Sequence, residues 1–424
     1  MPSEPTAPLP PTPRPPPASL WAPLKIVPFR NLYIALFITN IGGWMNGIGC
    51  SWLMTSLDGS ALMLGLVQAS FTFPGIVLSL PGGVLADQLD RRRYILVLSS
   101  IIGLVALNLS LMTWLGWIGP WSLLAHTFAM GMIFALQGPA LLSVIQDLIK
   151  RELLPQALTL NSIAVNVGRS VGPVFAGALI GAFGAASAFL VNTVGYAALA
   201  TFFLRQRKRE LRQQVRESFG EALWNGLRFA MTERRFRGML IRFALFLSNA
   251  SALLALMPLV AKVQLNGGPG VFGTLVTWVG IGALIAAFGR SQLSPRVTPD
   301  LHVHASIVVS AGAYVGLAFA DTLAAASALA FLYGMGWTNA TITFQVSTQL
   351  ALPAAMRGRG ISLFMMTFGL GMMIGGVFWG AMADVAGIKY ALIGSGVAAM
   401  VFHGLSWRMS LNAPPSDDLN SDHQ

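Results

Sequence analysis

Charge is what this chain has least of. Only 10% of its 424 residues are Asp, Glu, Lys or Arg, where a soluble domain carries roughly 25%, and that shortage excludes an ordinary water-soluble fold. Cysteine is nearly absent too. Cys50 alone cannot form an intramolecular disulfide or a cysteine metal cluster. No HExxH motif, phosphate-binding Gly-rich loop or cluster of acids is present. The chain is therefore not expected to be an enzyme or an ATP-driven pump, and no metal or cofactor is expected.

What is present is apolar length. The hydrophobic share is 54% and the mean hydropathy is +0.65. Uncharged runs cover Leu32–Leu57, Gly59–Ala86, Tyr94–Gln146, Ser170–Leu204, Phe243–Ala261, Val263–Gly289, Thr322–Met356, Gly360–Ala383 and Tyr390–Trp407. A membrane-spanning helix needs about 20 apolar residues, so each run holds one span or two. Turn signals at Gly116–Pro120 and Phe183–Ala185 divide the longer ones. The expectation is an all-α integral membrane protein of twelve transmembrane helices, over 31–57, 61–86, 95–115, 121–146, 156–183, 186–204, 239–263, 271–289, 303–320, 323–350, 358–383 and 388–408.

The basic residues orient the bundle. With both termini cytoplasmic, all 27 Lys and Arg except Lys262, Lys389 and the intramembrane Arg169 fall on or near the cytoplasmic side. A multi-pass plasma-membrane protein with both termini cytoplasmic is the expectation that follows. The net charge of +11 then belongs to a membrane surface and not to nucleic-acid binding.

The chain divides near its middle. Residues 28–205 form an N-terminal six-helix half, and 238–408 form a C-terminal one. A basic linker over 206–237 joins them, its Leu211, Val215, Phe219, Leu223 and Leu227 recurring every four residues as in an amphipathic surface helix. Residues 1–27 read as a disordered Pro-rich cytoplasmic tail and 409–424 as a polar one. The halves also repeat. Gly168-Arg-Ser-Val-Gly172-Pro173-Val-Phe-Ala-Gly177 aligns with Gly371-Met-Met-Ile-Gly375-Gly376-Val-Phe-Trp-Gly380 at a shift of 203 residues. A duplicated six-helix unit related by pseudo-two-fold symmetry, with a site between the copies, is a transporter architecture.

Between the second and third spans the chain reads Gly82-Gly83-Val-Leu-Ala-Asp87-Gln-Leu-Asp90-Arg91-Arg92-Arg93. This resembles the signature loop of the major facilitator superfamily in sequence and in place, with Asp90 where the family usually has glycine. Asp87 is of a kind to cap a helix or meet a helix N-terminus, and Arg91 to neutralise it. In the family this cluster docks on the start of helix eleven, here near Arg359, and stabilises one gating state. Gly168, Arg169, Gly172, Pro173 and Gly177 resemble the glycine-proline motif of helix five in exporter branches; ordinary close packing of helices reads the same residues equally well. Leu154-Pro155, Leu160-Asn161-Ser162 and Met356-Arg-Gly-Arg-Gly360 extend the likeness. From Pro28 to Trp407 the chain is similar to the enterobactin-exporter-like branch, which covers siderophore and drug exporters.

That resemblance implies secondary transport by alternating access, with a small amphipathic substrate, the lipid bilayer as surroundings and a proton as coupling ion. An importer or a lipid transporter of the same fold remains the alternative. In such a fold helices one, four, seven and ten line the cavity, which makes Asn40, Asn46, His126, Gln137, Asn249, Asn339 and Gln345 the cavity candidates. Hydrogen bonding between helices is the competing use of each. Arg169 is the clearest intramembrane charge and needs a partner, water or an acidic substrate group.

Overall fold

A computed structural model of the protein describes residues 19–206, 228, 232–293, 298–352, 357–407, 409 and 411. Within them lie twelve long helices: α1 Val27–Leu57, α2 Ala61–Gln88, α3 Arg91–Trp114, α4 Pro120–Leu148, α5 Leu154–Phe183, α6 Ala185–Arg205, α7 Arg234–Leu259, α8 Pro269–Leu293, α9 Pro299–Leu317, α10 Leu323–Ala351, α11 Arg357–Ala386 and α12 Ile388–Ser406. No strand occurs among the described residues. The linker pattern around Leu211–Leu227 and most of both tails lie outside them.

Local chemistry sets the helix ends. The side chains of Ser60, Asp90, Thr298 and Thr322 accept backbone N–H bonds at the starts of α2, α3, α9 and α10, satisfying donors that have no partner within the helix. Thr298 followed by Pro299 explains why α9 begins before residue 303, where hydropathy places it. α7 likewise starts earlier than 239, capped by Glu233. Prolines inside α2, α4, α5 and α7 are tolerated as membrane helices tolerate them, through neighbours that take up the freed carbonyls.

Nine of the twelve helices are long and apolar enough to cross a membrane by length and composition. The three that fall short are α1, α9 and α10. They carry Thr39, Asn40 and Asn46; His302, His304, Ser306 and Ser310; and Thr338, Asn339 and Thr341. Polar side chains inside the bundle, not brevity, lower their hydropathy.

The helices form two sets with the same plan. α1 packs on α5 and α6, α2 on α4, and α3 on α6; equivalently α7 packs on α11 and α12, α8 on α10, and α9 on α12. Two seams join the sets, α2 against α11 and α5 against α8. Glycine makes the repeat physical. A Cβ at Gly168 or Gly172 would meet Asn40 and Trp44 of α1, and one at Gly371 or Gly375 would meet Leu247 and Ser248 of α7. The last glycine of each motif instead faces the other half: Gly177 against Gly273 of α8, Gly380 against Ala61 of α2. The turns repeat as well, since Gly184 and Gly387 have φ of 79° and 92° and stand at the same 203-residue shift. Both sit in the left-handed region, where a side chain costs energy.

One end of the bundle carries the α2–α3 and α4–α5 connections, with Arg91, Arg92, Arg93 and Lys150. It is called the basic face below. The α1–α2, α5–α6, α7–α8 and α11–α12 turns lie at the opposite face.

Candidate functional site

A cavity of about 540 Å³ lies within the first six helices. Its wall includes Asn40, Asn46, Gln68, Gln137, Asn161 and Asn192, the aromatic rings of Trp44, Phe71, Phe134 and Tyr196, and apolar residues such as Val67, Met130 and Leu141. No charged side chain lines it among the described residues. Six amides set into an apolar and aromatic wall suit a ligand with both apolar bulk and hydrogen-bonding groups.

Two of these amides are under-used. Asn46 is 6% exposed and Asn192 only 2%, and the Oδ1 atom of each is buried without a hydrogen-bond partner. The Asn46 amide nitrogen finds only sulfur, at 3.6 Å from both Cys50 Sγ and Met130 Sδ. Sulfur is a weak acceptor, so this amide is poorly satisfied by the protein itself. Gln137, by contrast, donates to Ser99 Oγ at 2.6 Å, and Asn40 donates to the Leu36 carbonyl of its own helix at 2.8 Å.

Of the seven sequence candidates, the structure brings Asn40, Asn46 and Gln137 into this wall. His126 lies elsewhere, its Nδ1 2.7 Å from the Ser122 carbonyl one turn back. Asn249 bonds to the Leu245 carbonyl at 2.7 Å, and Asn339 donates to Ser306 Oγ at 2.8 Å, tying α10 to α9. Gln345 is half-buried and is not part of the wall. The polar wealth of α10 thus serves packing at Asn339, while Thr341 and Thr343 bond back to their own helix. Gln68, Asn161 and Asn192 are not among the cavity candidates read from the sequence, where Asn161 enters only through the family likeness. They lie on α2, α5 and α6, helices that a cavity built from the first helix of each triplet leaves out.

Arg169 stands on α5 one turn from the cavity-lining Val165, and its guanidinium carbon lies 5.8 Å from the centre of the Trp337 ring on α10. A cation over an indole face is attracted by the ring quadrupole. This contact crosses from one half to the other. Gly168–Gly172 also spells Gly-x-Ser-x-Gly, but it runs through the middle of α5. The hydrolase elbow requires that pattern at a strand-to-helix turn.

At the basic face the signature loop is anchored by its arginines. Arg91 pairs with Asp147 of α4 at 2.5 Å. Arg92 donates from Nε and a terminal nitrogen to the Phe203 and Leu204 carbonyls, 2.7 Å each, closing the end of α6. Asp90, the departure from the family pattern, accepts the Arg93 backbone N–H at 3.0 Å and caps α3. Arg93 itself is exposed. Gly83, the Asp87 side chain and that of Arg359 lie outside the described residues.

A buried polar cluster in the second half has no signature in the sequence. Arg242 of α7, its side chain 2% exposed, pairs with Asp300 of α9 at 2.7 Å and donates to the Met409 carbonyl at 2.6 Å. Asp300 also accepts the Leu411 backbone N–H at 3.0 Å. Nearby, His304 Nδ1 and His403 Nε2 share one hydrogen bond of 2.8 Å, so one ring donates and the other accepts.

Comparison with known proteins gives a consistent answer. Residues 18–424 match the family model described as Transmembrane secretion effector. The chain is 23% identical over 393 residues to the Staphyloferrin A transporter of Staphylococcus aureus, covering 92% of this chain and 98% of that protein. It is 28% identical over 390 residues to the Enterobactin exporter EntS of Salmonella choleraesuis, covering 86% and 90%. Among solved structures, the nucleoside transporter NupG superposes with a TM-score of 0.75 at 14% identity, over 90% of this chain and 99% of that one. A bacterial homologue of the human lysosomal transporter Spinster, inward-facing and unoccupied, gives 0.74 at 14%, over 91% and 98%. Both likenesses bear on the fold.

Proposed function

The chain belongs to the transmembrane secretion effector family of major facilitator transporters, and from that premise we propose that it exports a small amphipathic molecule, of the siderophore or drug kind, by alternating access. The family is one of membrane transporters and not of enzymes. The observation that carries the reading is the uncharged cavity, whose orphaned Asn46 and Asn192 oxygens invite hydrogen-bond donors on a largely apolar ligand. The names of the relatives, a staphyloferrin A transporter and enterobactin exporters, support siderophores as the first compounds to test.

In this reading all twelve helices cross the membrane, residues 28–205 and 238–408 are the two moving halves, and the basic face is cytoplasmic. The polar character of α1, α9 and α10 is consistent with spanning because polar side chains such as Asn46, Ser306 and Thr338 are buried inside the bundle. The Arg91–Arg93 loop steadies the cytoplasmic ends of α3, α4 and α6, and Asp87 sets the gating state. A proton gradient drives export, by the family resemblance. No carboxylate or imidazole lines the cavity among the described residues, so coupling is assigned to groups away from the substrate.

The test is accumulation of labelled siderophores and dyes in cells expressing the protein, with and without a proton uncoupler. Export predicts lowered accumulation that the uncoupler abolishes and that Asp87→Asn removes. Raised accumulation identifies an importer instead, and no change across the panel removes siderophores and dyes as substrates.

A further inference from the structure

The two seams between the halves are not equivalent at the face opposite the basic one. On the α2–α11 seam, the carboxylate of Asp384, in the last turn of α11, reaches across to the first turn of α2. It accepts from Ser60 Oγ at 2.7 Å, from the Ala61 backbone N–H at 2.7 Å and from the Leu62 backbone N–H at 2.9 Å. The Ser60 hydroxyl that donates to Asp384 also accepts the Met63 N–H at 3.3 Å, capping its own helix. Among the described residues the α5–α8 seam has no counterpart. At the 203-residue shift, Asp384 corresponds to Gly181, whose added Cβ would meet nothing within 4 Å. The helix it would face starts with Pro269, which has no N–H to give. There, Gly177 and Gly273 pack backbone to backbone without charge.

We propose that Asp384 and the N-terminus of α2 form a latch that holds the two halves together at this face and releases when the cavity opens there. The inference rests on the alternating-access reading above. Its physical basis is an anionic acceptor on the exposed donors at a helix N-terminus, where negative charge is favoured. Glycines beneath it allow the closure. An added Cβ at Gly65 would run into the Gly376 carbonyl, and one at Gly380 into Ala61, so the helices can approach until the carboxylate reaches. Two neighbours brace the same face from the first half to the second. Lys262 donates its ammonium to the Thr55 carbonyl, and the rings of Trp52 and Phe272 stack 6.2 Å apart.

Asp384 is solvent-exposed. Water competes for its oxygens, so its three bonds are worth far less than in a dry core. That suits a contact broken and remade in every cycle, because a fully buried charge pair would be too costly to separate. A tenfold change in the open-to-closed ratio corresponds to about 1.4 kcal/mol, within reach of one charge-assisted set of this kind.

The test measures the distance across this face by electron spin resonance between labels at Ser56→Cys on α1 and Val263→Cys beyond α7, in a Cys50→Ser background, on detergent-purified and reconstituted full-length protein. Parent protein should show mainly the short, closed distance. Asp384→Ala should raise the ratio of the long to the short population about tenfold or more, with Asp384→Asn and Ser60→Ala shifting it in the same direction by less. Distance distributions that superimpose on the parent's in all three variants overturn the latch. Only variants that elute as the parent does from a sizing column are scored, and Asp384→Asn and Ser60→Ala carry the test if Asp384→Ala misfolds. No substrate is needed. A protein that exports nothing in cells yet opens without Asp384 therefore refutes the export reading and keeps the latch.

Discussion

Consider removal of Arg242. Its guanidinium is 2% exposed and one terminal nitrogen serves two acceptors, Asp300 at 2.7 Å and the Met409 carbonyl at 2.6 Å. Arg242→Met keeps the apolar stem and deletes both bonds. Asp300, 17% exposed, then loses the Arg242 guanidinium while its desolvation remains. Breaking a buried pair from one side costs about 3–5 kcal/mol, because the remaining charge is still desolvated. Asp300→Leu should cost a similar amount, stranding the arginine against one carbonyl. The double variant is the informative one. With neither charge to desolvate, its cost should fall below about 2 kcal/mol, giving a coupling of several kcal/mol between the sites. For a chain of this length, 3 kcal/mol corresponds to at least about 3 °C in melting temperature, taking the per-residue entropy of soluble proteins. The assay is thermal unfolding of the four purified proteins in one detergent at one pH. Additive losses, or a double variant less stable than either single, would refute the argument and show that the arginine contributes through packing alone.

Asn46→Leu and Asn192→Leu should each lower efflux about tenfold, the worth of one hydrogen bond to the substrate, while leaving the melting temperature level or raised, because each removes an orphaned buried oxygen; His126→Ala should leave efflux unchanged in the same cells. Gly375→Ala places a methyl group on the Ser248 carbonyl and should cost about 1–3 kcal/mol, read as a lowered melting temperature, whereas Gly47→Ala, with nothing within 4 Å, should not. Arg92→Gln should destabilise by about 1–3 kcal/mol, because the Phe203 and Leu204 carbonyls lose charged donors, and Arg92→Lys should rescue only in part because an ammonium cannot reproduce the fork; both are read in the same melting assay.

The helices were legible because the spacing of charges reports the thickness of the membrane directly. The glycine repeat was legible as a pattern, and the structure supplies its reason. Gly168 and Gly371 press on the first helix of their own half, and Gly177 and Gly380 on the other half. Helix starts were less legible. Hydropathy starts the seventh span at 239, yet α7 begins at Arg234, capped by Glu233, and its Arg242 finds Asp300 some 58 residues on. Such a pair has no local signature. The site was half legible for the same reason. Helical position pointed to Asn40, Asn46 and Gln137, but it could not distinguish an amide facing the cavity from Asn339, satisfied by a serine on the next helix.

The polar residues of the two halves have parted in use, and this bears on how the protein works. In the first half, Asn46 and Asn192 keep buried oxygens unpaired beside open volume. In the second, Arg242 with Asp300, His304 with His403, and Asn339 with Ser306 bond to one another, drawing α7, α9, α10 and α12 together. An internally bonded half moves as a body, since bending it would break several buried polar contacts at once. The second half also keeps unpaired buried groups, among them Thr338 and Thr348 Oγ1, but these do not line the cavity; the amides that do line it have recognition to spare. On the proposed alternating-access reading, ligand binding in the first half then need only change how well its face fits the second, where Arg169 meets Trp337 and where Asp384 meets α2. If this division holds, substitutions that loosen the Arg242 cluster should slow transport without changing which compounds compete, and those at Asn46 or Asn192 should change the order of competitors. A competition series across both sets of variants in the efflux assay decides it, and a changed order from Arg242→Met would show that the second half also reads the substrate.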